Sequence, residues 1–206
     1  MSAIVGILLA AGTGRRFDPS GARLKLLEPA PSGAHAGCPL AVAAALNLKA
    51  AVDDVVAVVR PIDGPPQRSL HAALAAAGCR IVVCERAREG MGASLACGVR
   101  AARCAAGWVI ALADMPAIAP ATIAAVAQAL RAGHTAAAPF VRERRGHPVG
   151  FGAACYEELA RLTGDAGARS VLVARPPFRV AVDDPGALLD IDSAADLNPE
   201  TSPGRP

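Results

Sequence analysis

Leu9-Ala10-Ala11-Gly12-Thr13-Gly14-Arg15-Arg16-Phe17 sets two glycines and two arginines directly after an apolar run. Glycines let the backbone turn sharply and aim its N–H groups at an anion. Arg15 and Arg16 add charge-assisted donors that match phosphate oxygens, and Lys25, further along the same loop, is a mobile point charge suited to a triphosphate. Asp114, in Leu112-Ala113-Asp114-Met115-Pro116, is placed to hold Mg²⁺, which takes a few carboxylates together with phosphate and water oxygens. The same residue also stands where a helix N-cap would stand, just ahead of Pro116. Asp190-Ile191-Asp192 offers two more carboxylates on one side of an extended chain, while Asp192 or Ser193 can equally cap a last short helix with Asp196 as partner. Ser94 follows Gly90 and Gly92 at a helix start, where amides favour anions; its hydroxyl can donate to a base or ribose, or only cap the helix. His147 and Pro148 lie beside the arginine turn at 142–145, which is either a solvated turn or a clamp on an anionic substrate.

Two familiar nucleotide motifs are excluded. Gly12 and Gly14 are too close for a P-loop, and no Lys-Ser/Thr pair follows them. A dinucleotide fingerprint needs a third glycine where Phe17 stands and an acid ending the second strand, which instead ends in Arg60. There is no Ser-His-Asp or Cys-His arrangement either, so covalent catalysis is not indicated.

The elements that must position these groups alternate. Strands are expected at residues 3–9, 54–59, 80–84, 108–112 and 135–138, with helices at 39–52, 67–77, 92–105 and 120–131 between them. Repeated βα units predict an α/β fold with a doubly wound, mostly parallel sheet, and ligands bind at the carboxyl ends of such strands. After residue 138 the rhythm changes. Two short strands around a charged turn are expected at 140–151, helices at 153–161 and 168–174, and strands at 178–182 and 187–189. This is a small antiparallel extension able to receive a second substrate. Residues 18–37 form one unusually long loop, and the Pro, Ser, Thr and Gly content of 198–206 predicts a disordered tail.

Composition narrows the partners. Net charge is +3 and dispersed, and aromatic residues are only 3%, so neither nucleic acid nor a membrane surface is the expected partner. A core with so few aromatics must be built from Val, Leu, Ile and Ala, which suits close helix–sheet packing. Six cysteines without a C-x-x-C pair read as reduced structural thiols, with Cys97 and Cys104 packed along one helix. The first apolar run has its arginines after it rather than before it, unlike a signal peptide, so a cytoplasmic location is expected.

Taken in order, the Leu9–Phe17 loop, Lys25-Leu26-Leu27, Gly90-Met91-Gly92-Ala93-Ser94-Leu95, Leu112-Ala113-Asp114-Met115-Pro116, Gly146-His147-Pro148-Val149 and Asp190-Ile191-Asp192 resemble the nucleotidyltransferases that include molybdenum cofactor cytidylyltransferases and molybdopterin-guanine dinucleotide synthases. The resemblance covers nearly the whole chain. It implies a Rossmann-like nucleotidyltransferase fold with one NTP transferase domain at 1–197, its nucleotide-binding half at 1–138 and its acceptor-binding half at 139–197. By the same resemblance Ala10, Ala11, Gly12, Gly14, Arg15, Arg16, Lys25 and Ser94 bind the nucleotide, with Arg16, Lys25 and Asp114 catalytic. Asp114 and Asp192 hold Mg²⁺, and His147, Pro148 and Asp190 meet the acceptor. Ala11, where guanylyltransferases of the family carry glycine, points to CTP. The implied reaction transfers CMP to the phosphate of molybdenum-molybdopterin and releases pyrophosphate, with cofactor-biosynthesis proteins, a molybdoenzyme or its chaperone as partners. A guanylyltransferase, a sugar- or polyol-phosphate nucleotidyltransferase, or a non-catalytic nucleotide-binding chaperone or regulator are the competing readings. The stretch 18–37 departs from the family pattern: it is longer, and Arg23-Leu24 rather than a glycine precedes Lys25, so Arg23 can share the lysine's work.

Overall fold

Residues 4–9 alternate onto two separate cores, which is why the run is apolar throughout. In the computed structural model, which describes residues 3–14, 16–18 and 23–197, they form β1 (Ile4–Leu9) inside an eight-stranded sheet. Ile4 and Leu8 pack into one cluster with Leu48, Leu74, Ile123 and Val126. Val5 and Ile7 pack into the other with Val58, Leu95, Val99 and Trp108. A sheet covered on both faces leaves its strands no polar side.

The alternation continues through α1 (Leu40–Lys49), β2 (Asp54–Val59), α2 (Pro65–Ala76), β3 (Arg80–Val83), α3 (Met91–Ala101), β4 (Gly107–Leu112) and α4 (Pro120–Arg131). Glycines let the helices lie close on the sheet. A Cβ at Gly6 would meet Leu48 Cγ at 2.7 Å, and one at Gly98 would meet Ile7 Cγ2 at 2.6 Å. The third helix stops earlier than the sequence suggests, because the indole N–H of Trp108 takes the carbonyl of Ala102 at 3.0 Å. Cys104 therefore falls beyond the helix and is exposed, not packed as expected; the six cysteines are all unpaired.

The strand order is β3-β2-β1-β4-β7-β5-β6, with β8 (Phe178–Ala181) paired to β5. Strands β1 to β4 are parallel. The expected strand at 135–138 is longer: β5 (Ala136–Val141) runs on to a hairpin with β6 (Arg144–Arg145). Strand β7 (Val149–Gly152) lies antiparallel between β4 and β5, so the antiparallel extension is woven into the main sheet. Gly150 permits this, since a Cβ there would press on Val126 Cγ1 at 2.8 Å. Two short helices follow, α5 (Tyr156–Ala160) and α6 (Arg169–Ala174). The strand expected at 187–189 is absent; Pro185–Leu188 form a 3-10 turn instead. Proline fixes the first φ of that turn and Asp184 caps it, accepting from Gly186 N at 3.0 Å. The expected tail at 198–206 lies outside the described residues. Among those described, no helix is long and apolar enough to cross a membrane.

Asp184 ties this turn to the start of α4. Its buried carboxylate also accepts from the amide of Ala119 at 2.9 Å and the hydroxyl of Thr122 at 2.6 Å, so it serves the start of α4. Asp184→Ala leaves these donors without a partner and is expected to destabilise the fold by about 3 kcal/mol. Urea denaturation would read this directly, and a loss under about 0.5 kcal/mol would refute it.

Candidate functional site

The strand order reverses between β1 and β4, so a crevice opens where the loops after these strands diverge. The loop after β1 is anchored first: the amide of Ala10 donates to Val58 O at 2.9 Å, and Ala10 and Ala11 are buried. Gly12 is exposed, and a Cβ there would have no atom within 4 Å, so its backbone face is open to a ligand. Gly14 takes φ 64°, a left-handed conformation that favours glycine, and its carbonyl accepts from Phe17 N at 2.9 Å and Asp18 N at 3.1 Å. Arg15 lies outside the described residues.

Three distant stretches of chain converge here. Lys25 opens a short 3-10 turn, Lys25–Leu27, and is buried; its Nζ lies 2.7 Å from Asp114 Oδ2 and 3.6 Å from Asp192 Oδ1. Arg16 Nη1 donates to Asp192 Oδ2 at 2.9 Å from the solvent side. The amide of Ile191 donates to Asp114 O at 3.0 Å, locking the 190–192 segment to the end of β4. Asp114 does not cap a helix, because the next one starts at Pro120 and draws on Asp184. Nor does the Asp192 side chain cap the last short helix, Ala194–Leu197: Ser193 precedes that helix, and Asp196 within it is the box partner, its Oδ2 accepting from Ser193 N at 2.7 Å, Ser193 Oγ at 2.8 Å and Asp192 N at 3.1 Å. The Asp192 carboxylate is thereby left to face Lys25 and Arg16.

Two carboxylates closing on one ammonium form the kind of hard oxygen pair that suits a divalent cation. Among the described residues no group of three or more His, Cys, Asp or Glu gathers as a metal site. A divalent ion here would take its other ligands from phosphate and water, as Mg²⁺ does in phosphoryl-transfer sites.

His147 lies within electrostatic reach of Asp114 and Asp190. Its peptide bond to Pro148 is cis, and its amide donates to Ala187 O at 2.8 Å. The ring Nδ1 is buried and has no hydrogen-bond partner among the described residues. Burial, then the Arg145 guanidinium, push its pKa down, against the opposing pull of Asp114 and Asp190; the imidazole is neutral at pH 7. Asp190 and Asp192, read from sequence as neighbours on one side, thus reach different partners. The segment carrying them is not a paired strand but an irregular crossing braced on Asp114. In the neighbouring hairpin, Arg142 has φ 56° and Glu143 is held by Arg179 at 3.0 Å, while Arg144 and Arg145 are exposed.

Ser94 is buried in the first turn of α3, with its Oγ 3.4 Å from Gly90 O. The N-terminus of this helix is partly spent: the amide of Gly92 donates to Gly164 O at 2.7 Å. This explains both motif glycines. A Cβ at Gly92 would meet Thr163 O at 2.5 Å, and one at Gly90, whose φ is 124°, would overlap Gly164 and Asp165.

A cavity of about 950 Å³ spans the crevice, with Gly12, Thr13, Arg60, Gln67, Ser94 and Asp114 in its walls. A smaller one of about 280 Å³ continues it over Gly14, Arg16, Lys25 and Asp192. Sequence reasoning missed Arg60, Asp63, Gln67, Arg88 and Asp165 in the larger cavity. For Arg60 a signal existed: it ends β2 on the same carboxyl edge, yet it reads only as the close of a strand.

Residues 6–179 match the family described as the MobA-like NTP transferase domain. Among solved structures, Rv0371c from Mycobacterium tuberculosis H37Rv is similar at 29% identity and a TM-score of 0.74, with 95% of each chain covered. The manganese complex of Rv0371c is similar at 28% identity and a TM-score of 0.68, over 88% of each chain. Mth528, a nucleotidyl transferase from Methanothermobacter, gives 24% identity and a TM-score of 0.74 over 94% of each chain. Molybdopterin-guanine dinucleotide biosynthesis protein A from Archaeoglobus fulgidus gives 17% identity and a TM-score of 0.64, covering 94% of this chain and 95% of its own. At these lower identities, the last two bear on the fold alone. No curated protein matches the sequence.

Proposed function

The chain belongs to the MobA-like NTP transferase family, a nucleotidyltransferase family, and from that premise we propose that it transfers CMP from CTP to the phosphate of molybdenum-molybdopterin. The observation that carries the reading is the convergence of Lys25, Asp114, Asp192 and Arg16 at the carboxyl edge, beside the open backbone of Gly12.

In this reading the triphosphate lies along Gly12, Gly14 and Arg16, and Arg15 and Lys25 meet its oxygens. An oxygen of the acceptor phosphate attacks the α-phosphorus in line. The new O–P bond forms as the bond to the β-phosphate oxygen breaks, and pyrophosphate carries the charge away. The acceptor phosphate is already ionised at neutral pH, so no general base is required, and catalysis reduces to positioning and charge stabilisation. Asp114 and Asp192 would hold Mg²⁺, which neutralises the phosphate oxygens when bound. Support for a divalent metal comes from the manganese complex of Rv0371c. His147, Pro148 and Asp190 border the acceptor side, and residues 139–197 form the acceptor half of one domain whose nucleotide half is 1–138. Ser94, Ala10 and Ala11 contact the nucleoside, and the methyl of Ala11 narrows its pocket in favour of a pyrimidine. Six unpaired thiols fit a reducing, cytoplasmic setting, and the product would pass to a molybdoenzyme or its chaperone.

The test is pyrophosphate release with Mg²⁺ and molybdenum-loaded molybdopterin, comparing CTP, GTP and ATP. Release with CTP well above GTP is expected. Equal turnover of GTP would overturn the base assignment, and no release with any triphosphate would overturn the reaction.

A further inference from the structure

The larger cavity has an acceptor with nothing to accept. Of the four carboxylates in its walls, Asp18, Asp63, Asp114 and Asp165, three are engaged. Asp18 accepts from Arg23 N at 2.7 Å, Asp63 has Arg60 at 3.8 Å and Arg88 at 4.0 Å, and Asp114 has Lys25 at 2.7 Å. Asp165 receives neither a hydrogen bond nor a cation from any described residue. Yet its position is firmly set. The backbone of 163–165 is pressed onto the start of α3, where Gly90 and Gly92 have no side chain to keep it away and the Gly92 amide holds Gly164 O at 2.7 Å. A carboxylate on a backbone fixed in this way, facing a cavity, is a ready acceptor for a donor on the ligand.

Which donor it meets follows from the two cavities. The smaller holds Lys25, Arg16 and Asp192, the groups that suit phosphates; it shares Gly12, Thr13, Met91 and Asp114 with the larger. A ribose attached to the α-phosphate falls at that shared boundary. Asp165 lines the larger cavity and not the smaller, as do Gln67 and Arg88. A base carried by that ribose extends into the part of the larger cavity that the smaller does not share.

The geometry points to Asp165 as a specificity-determining residue that accepts a hydrogen bond from the exocyclic amino group of the nucleobase. Cytosine carries that donor at C4, whereas uracil has a carbonyl there that a carboxylate repels. This inference deepens the nucleotidyl-transfer reading: the segment that reads the base comes from the acceptor half of the chain.

The test compares CTP and UTP binding, with Mg²⁺ present, by titration calorimetry on the wild type, Asp165→Asn and Asp165→Ala. A charge-assisted hydrogen bond corresponds to a wild-type preference for CTP of about 10- to 100-fold. Asp165→Asn, whose amide can donate to the uracil carbonyl, is expected to shrink that preference at least about tenfold and to tighten UTP. Asp165→Ala should flatten the preference from both sides, weakening CTP through the lost acceptor and relieving UTP of the repulsion. A CTP-to-UTP ratio unchanged in both variants overturns the inference. So does an equal loss for both nucleotides that disappears with dCTP, which would assign Asp165 to the ribose. Asp165 has no partner to lose among the described residues, so unaltered thermal unfolding of both variants is expected. Failure of pyrophosphate release with molybdopterin, alongside intact CTP discrimination, would refute the acceptor and leave the role of Asp165 standing.

Discussion

Under the proposed reaction, Asp114→Ala is expected to lower pyrophosphate release by about 10³-fold or more at saturating CTP, because it would remove a charge that pairs with Lys25 and would help hold the divalent ion. The expected effect is on kcat as much as on KM, since in that reaction the carboxylate would act where charge moves in the transition state. Stability should also fall, by about 2 kcal/mol, because the buried Lys25 ammonium is left with only Asp192 at 3.6 Å. The link to Ile191 survives, because it uses the Asp114 carbonyl rather than its side chain. Single-turnover pyrophosphate release beside a urea melt separates the two effects. A folded Asp114→Ala enzyme retaining more than about a tenth of wild-type turnover would remove this residue from the catalytic group.

Lys25→Met has the second largest effect, and its signature is two-sided. Losing the ammonium that, in the proposed reaction, would neutralise the departing pyrophosphate is expected to lower kcat/KM by about 10²-fold or more. In the free enzyme, however, the same ammonium stands between Asp114 and Asp192, 2.7 and 3.6 Å from their oxygens. Removing it leaves two facing carboxylates without their internal cation. Affinity for Mn²⁺ in the absence of nucleotide therefore rises in Lys25→Met even as catalysis falls. Electron paramagnetic resonance titration of free Mn²⁺ measures this. Unchanged or weaker Mn²⁺ binding would show that the two carboxylates do not share one metal.

The parallel half was legible because its signals are local. The β-branched run at 54–59 and the helix from Pro120 to Arg131 carry their own boundaries, and their observed limits coincide with those the sequence predicts. The loop glycines and Asp114 could be placed on one edge because βα alternation dictates it. What escaped depends on contacts far apart in the chain. Nothing in 149–152 announces that it slots antiparallel beside β4, since periodicity carries no register. Asp184 looks like any loop acid until it reaches Ala119 and Thr122 across the fold. Residues 187–189 are apolar enough for a strand, and only the Pro185 turn and its cap decide otherwise. Asp165 was invisible for the same reason: the glycines at 90 and 92 fit a helix-start motif, while their purpose is to admit a loop from the other end of the protein.

The antiparallel insertion of β7 sets an order on synthesis. As the ribosome extends the chain, β1 to β4 can assemble, but one edge of β4 stays bare until residues 149–152 emerge to cover it. Until then the nascent protein exposes a strand of Trp108, Val109 and Ile110 with unpaired backbone, the type of surface that recruits other chains. The parallel strands thus stay unprotected on one side until β7 has been made. A chain ending before residue 149 would keep that edge of β4 open, and such a fragment is expected to associate with other chains rather than stay monomeric.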